Sequence, residues 1–282
     1  MEIIAVSYSC LGRTNCHLAY DEQIFKGLPK PKGLDEALTT HEYRRTFVSI
    51  TVQQVVNEIR KRGDDKAVAG MARFGIHTTT AFGVSAPQLR DLARKIGKNH
   101  EIAVQLWKTG IHEARILAGM VDDYTRVTQD QMEEWARNFD SWDIVDGSGG
   151  NLFDKTPFAV RKAHEWSARR EEYVRRAGFV LMAELAVHDK KAANRAFLEF
   201  LPVIVRESSD DRNFVKKAVN WALRQIGKRN LFLNRSAIQT CKTIQAINSR
   251  SAKWIAADAL RELTSSPVQK RLKNAYRSAS RT

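Results

Sequence analysis

From about residue 43 onward, apolar residues return every three or four positions, the period of helices that bury one face. The strict alternation of a half-buried strand is nearly absent. Boundary signals punctuate the helical stretches. Ser85 followed by Gln88, with Pro87 in the first turn, is a capping-box pattern, and Thr128 with Gln131 repeats it. Thr156 ahead of Pro157 predicts a further helix start. IGKNH (96–100) and IGKRN (226–230) each place a glycine behind an apolar-periodic run, which predicts a helix stop. Residues 1–40 differ: they mix Cys, Gly, Asn and Tyr without helical period and end in a Pro-Lys-Pro run at 29–31. They read as a poorly ordered extension in front of a helical domain over residues 41–282.

Three helical stretches are similar to one another: YVRRAGFVLMAELA from Tyr173, FVKKAVNWALRQIG from Phe214 and WIAADALREL from Trp254. Each opens on an aromatic and a β-branched residue. A helix-only period of about 40 residues is that of HEAT-like repeats, which stack because no unit buries its apolar face alone. The fold class this predicts is all-α: a HEAT-like helical-repeat solenoid, an α-α superhelix with a concave basic groove. Residues 85–166 fit the same helical pairing without a clean copy of the repeat.

Composition adds a partner. Of 282 residues, 46 are Lys or Arg and 32 Asp or Glu, giving a net charge of +14, and 43 % are hydrophobic, ample for a core. Such a balance points to an anionic partner, nucleic acid ahead of a membrane surface. No apolar run approaches the roughly 18 residues a spanning helix needs, and Met1–Val6 is too short for a signal peptide's apolar region. A soluble, cytoplasmic protein is expected. Cys10, Cys16 and Cys241 form no CxxC pair and the histidines are scattered, so no metal is expected and a reducing compartment suits the chain.

The charge is also patterned. Lys217, Trp221 and Arg224 are spaced four then three, and Lys228 continues the row, while Val215, Ala218, Ala222 and Ile226 can form the buried face. Arg175 and Arg176 stand at the place in their repeat that Lys216 and Lys217 occupy in the next. Basic rows in register across stacked repeats meet phosphates; a merely solvated face, or a core position for Trp221, is the plainer alternative. In FDSWDIVD (139–146), Trp142 and Asp146 are four apart and share one helical face, with Phe139 three residues earlier on that stripe. A carboxylate beside an indole on a cationic surface suits a site that stabilises positive charge. Asp143 is the competitor of Asp146 for that role, but it points roughly 100° away, where pairing with a basic residue is the alternative. The glycine-rich GSGG at 147–150 lets a backbone or ligand approach closely. Trp107, Trp135, Trp166 and Trp254 fall at apolar helical spacing and read as core. His112–Glu113 and His188–Asp189 are weaker candidates, the latter a cap or a solvated helix end. There is no Walker loop and no GxSxG elbow.

In order and spacing, FGVSAPQLRDLAR (82–94), HEARILAGMVDD (112–123), SWDIVD (141–146), RRAGF (175–179) and VKKAVNWALRQIGK (215–228) resemble the DNA alkylation repair glycosylases built from HEAT-like repeats, the AlkD type. The resemblance covers residues 82–265. It implies a basic face that holds duplex DNA, and hydrolysis of the N-glycosidic bond of cationic alkylated purines such as 3-methyladenine and 7-methylguanine, without base flipping and without a cofactor. It maps the catalytic aspartate onto Asp146, the two tryptophans onto Trp142 and Trp221, and the basic clamp onto Arg175 or Arg176, with Arg224 beside Trp221. Lys217 and Lys228 complete the expected DNA-contacting set. A monomer acting on duplex DNA is expected. Two other functions stay open: a non-catalytic nucleic-acid binder on the same scaffold, and a scaffold whose basic groove takes an acidic protein.

Overall fold

The computed structural model describes residues 50–279. The extension expected over residues 1–40, with Cys10 and Cys16, lies outside the described residues. The elements run as α1 (Val52–Lys61), α2 (Asp65–Met71), a 3₁₀ turn (Ala72–Phe74), α3 (Ala86–Ile96), α4 (His100–Lys108), α5 (His112–Val121), α6 (Gln129–Arg137), α7 (Trp142–Asn151), a second 3₁₀ turn (Phe153–Lys155), α8 (Ala159–Ser167), α9 (Glu172–His188), α10 (Asn194–Leu198), α11 (Phe200–Glu207), α12 (Asn213–Gly227), α13 (Leu231–Gln245), α14 (Arg250–Leu263) and α15 (Ser266–Ala279). No strand occurs among the described residues, and no described helix is long and apolar enough to cross a membrane.

Two layers follow from which helices touch. In the first, α3, α5, α7, α9, α12 and α14 each pack on the next; α4, α6, α8, α11, α13 and α15 back them. The repeat register is as the sequence pattern predicts: Tyr173 and Phe214 are both second residues of their helices and their rings lie 5.8 Å apart. Val174, Val215 and Ile255, the β-branched partners, are buried. The third aromatic differs. Trp254 is 42 % exposed rather than core, with the Lys216 ammonium 5.2 Å from its ring centroid. The other three tryptophans are buried as expected. Trp107 of α4 stacks on Trp135 of α6 at 4.1 Å, Trp135 meets Phe153 at 5.7 Å, and Phe153 meets Trp166 of α8 at 6.0 Å, so one aromatic ladder threads the second layer.

The helix-boundary signals divide. Ser85 and Gln88 form both halves of their capping box. Thr128 accepts the Gln131 N–H at 3.1 Å, but the Gln131 amide turns away to donate to Asp122 at 2.6 Å. Thr156 does not cap α8: its hydroxyl donates to the Phe153 carbonyl at 2.8 Å, and the helix starts only at Ala159. Gly97 ends α3 at φ 72°. Gly227 stays inside the last turn of α12, where a Cβ would sit 2.7 Å from Leu263 Cδ2; packing, not a left-handed stop, keeps it small.

Glycines also set how near α9 comes to its neighbours. A Cβ on Gly149 of α7 would lie 2.6 Å from Val180 Cγ1, and one on Gly150 2.6 Å from the Glu184 carboxylate. The close approach expected of GSGG is therefore made by α9. From its own side, a Cβ on Gly178 would press into the Ser167 backbone and lie 2.9 Å from the Ala163 carbonyl of α8. Gly178→Ala is expected to lower the stability read from urea unfolding by about 2 kcal/mol, since backbone has to move. Gly70→Ala, at a helical site with nothing within 4 Å, should raise it by up to about 1 kcal/mol. Equal midpoints for the two variants would contradict the close α8–α9 contact.

Candidate functional site

Ser141 is the N-cap of α7, so Trp142 opens the helix and Asp146 follows one turn later on the same face. Phe139 is not on that stripe. It precedes the cap, is buried, and turns edge-on to Trp107 with ring centroids 6.0 Å apart. Asp146 is gripped from the neighbouring helix: Arg176 donates from Nε to Oδ1 at 2.9 Å and from Nη2 to Oδ2 at 2.7 Å. The third arm, Nη1, donates to the Phe214 carbonyl of α12 at 2.7 Å, so one guanidinium ties three successive helices. Its carbon lies 5.8 Å from the Trp142 ring centroid. The indole N–H of Trp142 donates to the Phe74 carbonyl at 3.1 Å. Phe74 ends the first 3₁₀ turn, and Gly75 follows at φ 71° with the Phe214 ring where a Cβ would be. Only glycine meets both demands there. This 72–75 segment was not marked by the sequence pattern, although a lone glycine after an aromatic is the signal that would find it.

Two aspartates one turn apart are shifted in opposite directions. Burial opposes ionisation of Asp143, but the His112 hydrogen bond and charge, with the Ser141 hydroxyl, hold its carboxyl below the usual range. The distances are 2.9 Å to His112 Nε2 and 2.5 Å from Ser141 Oγ. Asp143 thus has the basic partner expected of it. For Asp146 the burial cost wins and its pKa is raised, against the pull of Arg176; the nearby Asp143 charge pushes the same way as burial. A largely shielded carboxylate that one arginine does not fully compensate favours the approach of further positive charge. Lys217 of α12 is exposed and close enough to Arg176 that, after burial, the guanidinium charge lowers its pKa.

The remaining predicted residues separate. Of the adjacent arginines, Arg176 reaches Asp146, whereas Arg175 points elsewhere, to Glu207 and Asp210 at 2.9 and 3.0 Å and to the Arg169 carbonyl at 2.6 Å. Trp221 is half-buried one turn past Lys217. Arg224 and Lys228 each lie 2.7 Å from Glu262 of α14, so the lower half of the expected basic row shares one carboxylate.

Two buried carboxylates carry roles the sequence pattern did not indicate. Glu113 accepts the backbone N–H groups of Phe82 and Gly83 at 2.9 and 2.7 Å and so fixes the approach to α3. Glu184 lies beside Asp154 and His188, whose Nδ1 is 2.5 Å from Asp154 Oδ2. His188 is therefore a partner in an ionic cluster rather than a solvated helix end. Asp154, Glu184 and His188 each offer one ligand atom within 4.8 Å of the others, but the Lys155 ammonium already stands 2.9 Å from Asp154. Burial pushes the Glu184 carboxyl up to about 7, with Asp154 and Asp146 adding to the rise and His188 opposing it.

The family model described as DNA alkylation repair enzyme matches residues 55–263, and the chain belongs to that family. No curated protein matches it. A solved structure described as representing a new family of proteins related to the HEAT-like repeat DNA glycosylases, with affinity for branched DNA structures, is similar at 19 % identity. It covers 75 % of this chain and 95 % of that one with a TM-score of 0.64, which shows the HEAT-like fold. An engineered protein covers 63 % of this chain and 91 % of its own at 13 % identity, with a TM-score of 0.30.

Glu184 gives a pH dependence with a definite sign. Its pKa of about 7 lies above the ordinary 4.5, so the folded state holds a proton that the unfolded chain releases. Stability is fully present below pH 4.5 and falls as pH rises through 7. Glu184→Gln is expected to raise the urea midpoint at pH 8 and to leave it nearly unchanged at pH 4. A gain at pH 4 equal to that at pH 8 would show that the carboxyl charge is not the cause.

Proposed function

We propose that this member of the DNA alkylation repair enzyme family is a glycosylase that hydrolyses the N-glycosidic bond of cationic alkylated purines in duplex DNA. The observation that carries the reading is Asp146: a largely shielded carboxylate on the same face as Trp142, clamped in both oxygens by Arg176. A purine methylated at N3 or N7 is already a cation. When its bond to C1′ breaks, the electron pair goes to the base nitrogen and the base leaves neutral, so no general acid is needed. Positive charge then develops on the deoxyribose. A fixed carboxylate in a partly dry site stabilises that charge, and its remaining lone pairs can orient the water that adds to C1′. Arg176 keeps both Asp146 oxygens in place, and the Phe74 carbonyl fixes the Trp142 indole beside them. Trp142 and Trp221 offer faces to the sugar and backbone, and Lys217 supplies a phosphate partner.

A second reading has its own support. The fold relative is described by affinity for branched DNA, and Asp146 already has a counter-ion. A non-catalytic DNA binder on this scaffold is the alternative.

Release of free methylated base from methylated duplex DNA distinguishes the two. Wild type is expected to release base, and Asp146→Asn to do so about 10²- to 10³-fold more slowly, with duplex affinity within about threefold of wild type. Thermal melting confirms that the variant is folded. Tight duplex binding by wild type with no base release would establish the non-catalytic binder, and wild-type release rates in Asp146→Asn would remove that residue from the chemistry.

A further inference from the structure

At the far end of α12 from Lys217 lies a second cationic feature that the Asp146 chemistry does not use. A cavity of about 590 Å³ opens between the end of α9, the turn joining α12 to α13, and the start of α15. Lys190, Lys228, Arg229 and Arg271 line it, and none of its lining residues is acidic. Lys228 is paired with Glu262, but the guanidinium of Arg229 is held by carbonyls: those of Ala186 and Ala192, at 3.1 and 3.0 Å. It also lies 4.3 Å from the Phe197 ring centroid. Burial lowers its pKa, only partly offset by Asp189. Arg271 donates to the Lys228 carbonyl at 2.9 Å. These contacts orient the two arginines without cancelling their charge. Pro267 and Val268, in the first turn of the fourteen-residue α15, complete the wall, so the positive end of that helix dipole also faces the cavity.

Convergent cations, a helix N-terminus and a wall without an acidic residue are the chemistry of a phosphate site. The rest of the lining is Ala, Val, Pro, Asn and Gln, with no aromatic ring on which a base could stack. That composition favours sugar-phosphate backbone over a nucleotide held by its base. Lys217 and Lys228 are separated by roughly 16 Å along α12, so the cavity contacts phosphates other than those beside Asp146. We propose that it binds nucleic-acid backbone phosphates outside the segment lying over Asp146, as a second clamp on the same strand pair. This rests on the reading of the chain as a DNA-acting protein.

The test is duplex affinity against salt, by fluorescence anisotropy, for wild type, Lys190→Gln/Arg271→Gln, and the control Arg235→Gln/Lys242→Gln, which removes the same charge from exposed positions on α13. Arg229 is left in place because its contacts hold the α9–α10 connection. The cavity variant is expected to bind roughly tenfold or more weakly at 0.1 M salt, with the slope of log affinity against log salt reduced by about 2, near 0.9 per lost phosphate contact. The control should keep the wild-type slope. A cavity variant with wild-type affinity and slope overturns the proposal while leaving the glycosylase reading intact. Failure of wild type itself to bind duplex rejects both. Titration with pyrophosphate alone separates the other source: loss of pyrophosphate binding in the cavity variant with duplex binding unchanged would make this a small-anion site and overturn the backbone assignment.

Discussion

The candidate site depends on how closely α9 approaches the helices on either side of it. Gly149 and Gly150 on α7 and Gly178 on α9 itself remove the side chains that would hold those helices apart. The result is a helix buried along most of its length, and burial is what gives Arg176 its role. An arginine on an exposed helix face is a flexible charge worth little to any one partner. Confined between α7 and α12, the same side chain has all three of its nitrogens committed, two to Asp146 and one to a main-chain carbonyl. Leaving either partner unpaired at that depth is costly, so the pair is a positional constraint as much as an attraction. The three helices whose side chains form the site cannot slide relative to one another without breaking it.

The same closeness explains why carboxylates within a few turns of one another behave differently. Asp143, Asp146 and Glu184 are all largely shielded from water, so what separates them is the number and kind of donors each one finds. Asp143 has a histidine, a hydroxyl and a backbone N–H, and is held ionised. Asp146 has one guanidinium shared with a carbonyl. Glu184 has His188 at 3.5 Å, and His188 is closer to Asp154. The ordering follows from donor count against burial. Asp146 is oriented by a permanent cation, yet its burial is not fully compensated.

The repeat period, the all-helical class, the three buried tryptophans and the shared helical face of Trp142 and Asp146 were legible in the sequence, because each rests on a spacing within one helix or between successive repeats. The features that escaped it depend on contacts across helices. Arg175 and Arg176 are neighbours of the same type; only the rotation of α9 against α7 and α11 sends one to Asp146 and the other to Glu207. Trp254 carries the apolar period of its helix, but its neighbour α12 presents Lys216 there instead of a hydrophobic side chain. Phe139 has helical spacing to Trp142, yet Ser141 starts the helix after it. Gln131 sits where a capping box wants it, and Asp122, nine residues earlier, outcompetes the cap. Except at Phe139, where the cap at Ser141 is local, the pattern is real and a tertiary partner decides the outcome.

Surplus positive charge is therefore a poor guide until its partners are known. The row Lys217, Trp221, Arg224, Lys228 looks uniform along α12, but its two ends differ electrostatically. Glu262 takes up the charge of Arg224 and Lys228, while Lys217 has the charges of Arg176 and Lys216 nearby. An anion approaching the upper end of α12 meets unscreened charge next to Asp146; one approaching the middle meets an ion pair that must first be loosened. Past Lys228, Arg229 and Arg271 are held by carbonyls rather than by a carboxylate hydrogen bond. For a phosphate backbone laid along this helix the favourable contacts come at its ends, not along a continuous stripe. A ligand with regularly spaced charges is then positioned by both ends together, which fixes the segment between them more tightly than an even row of lysines would.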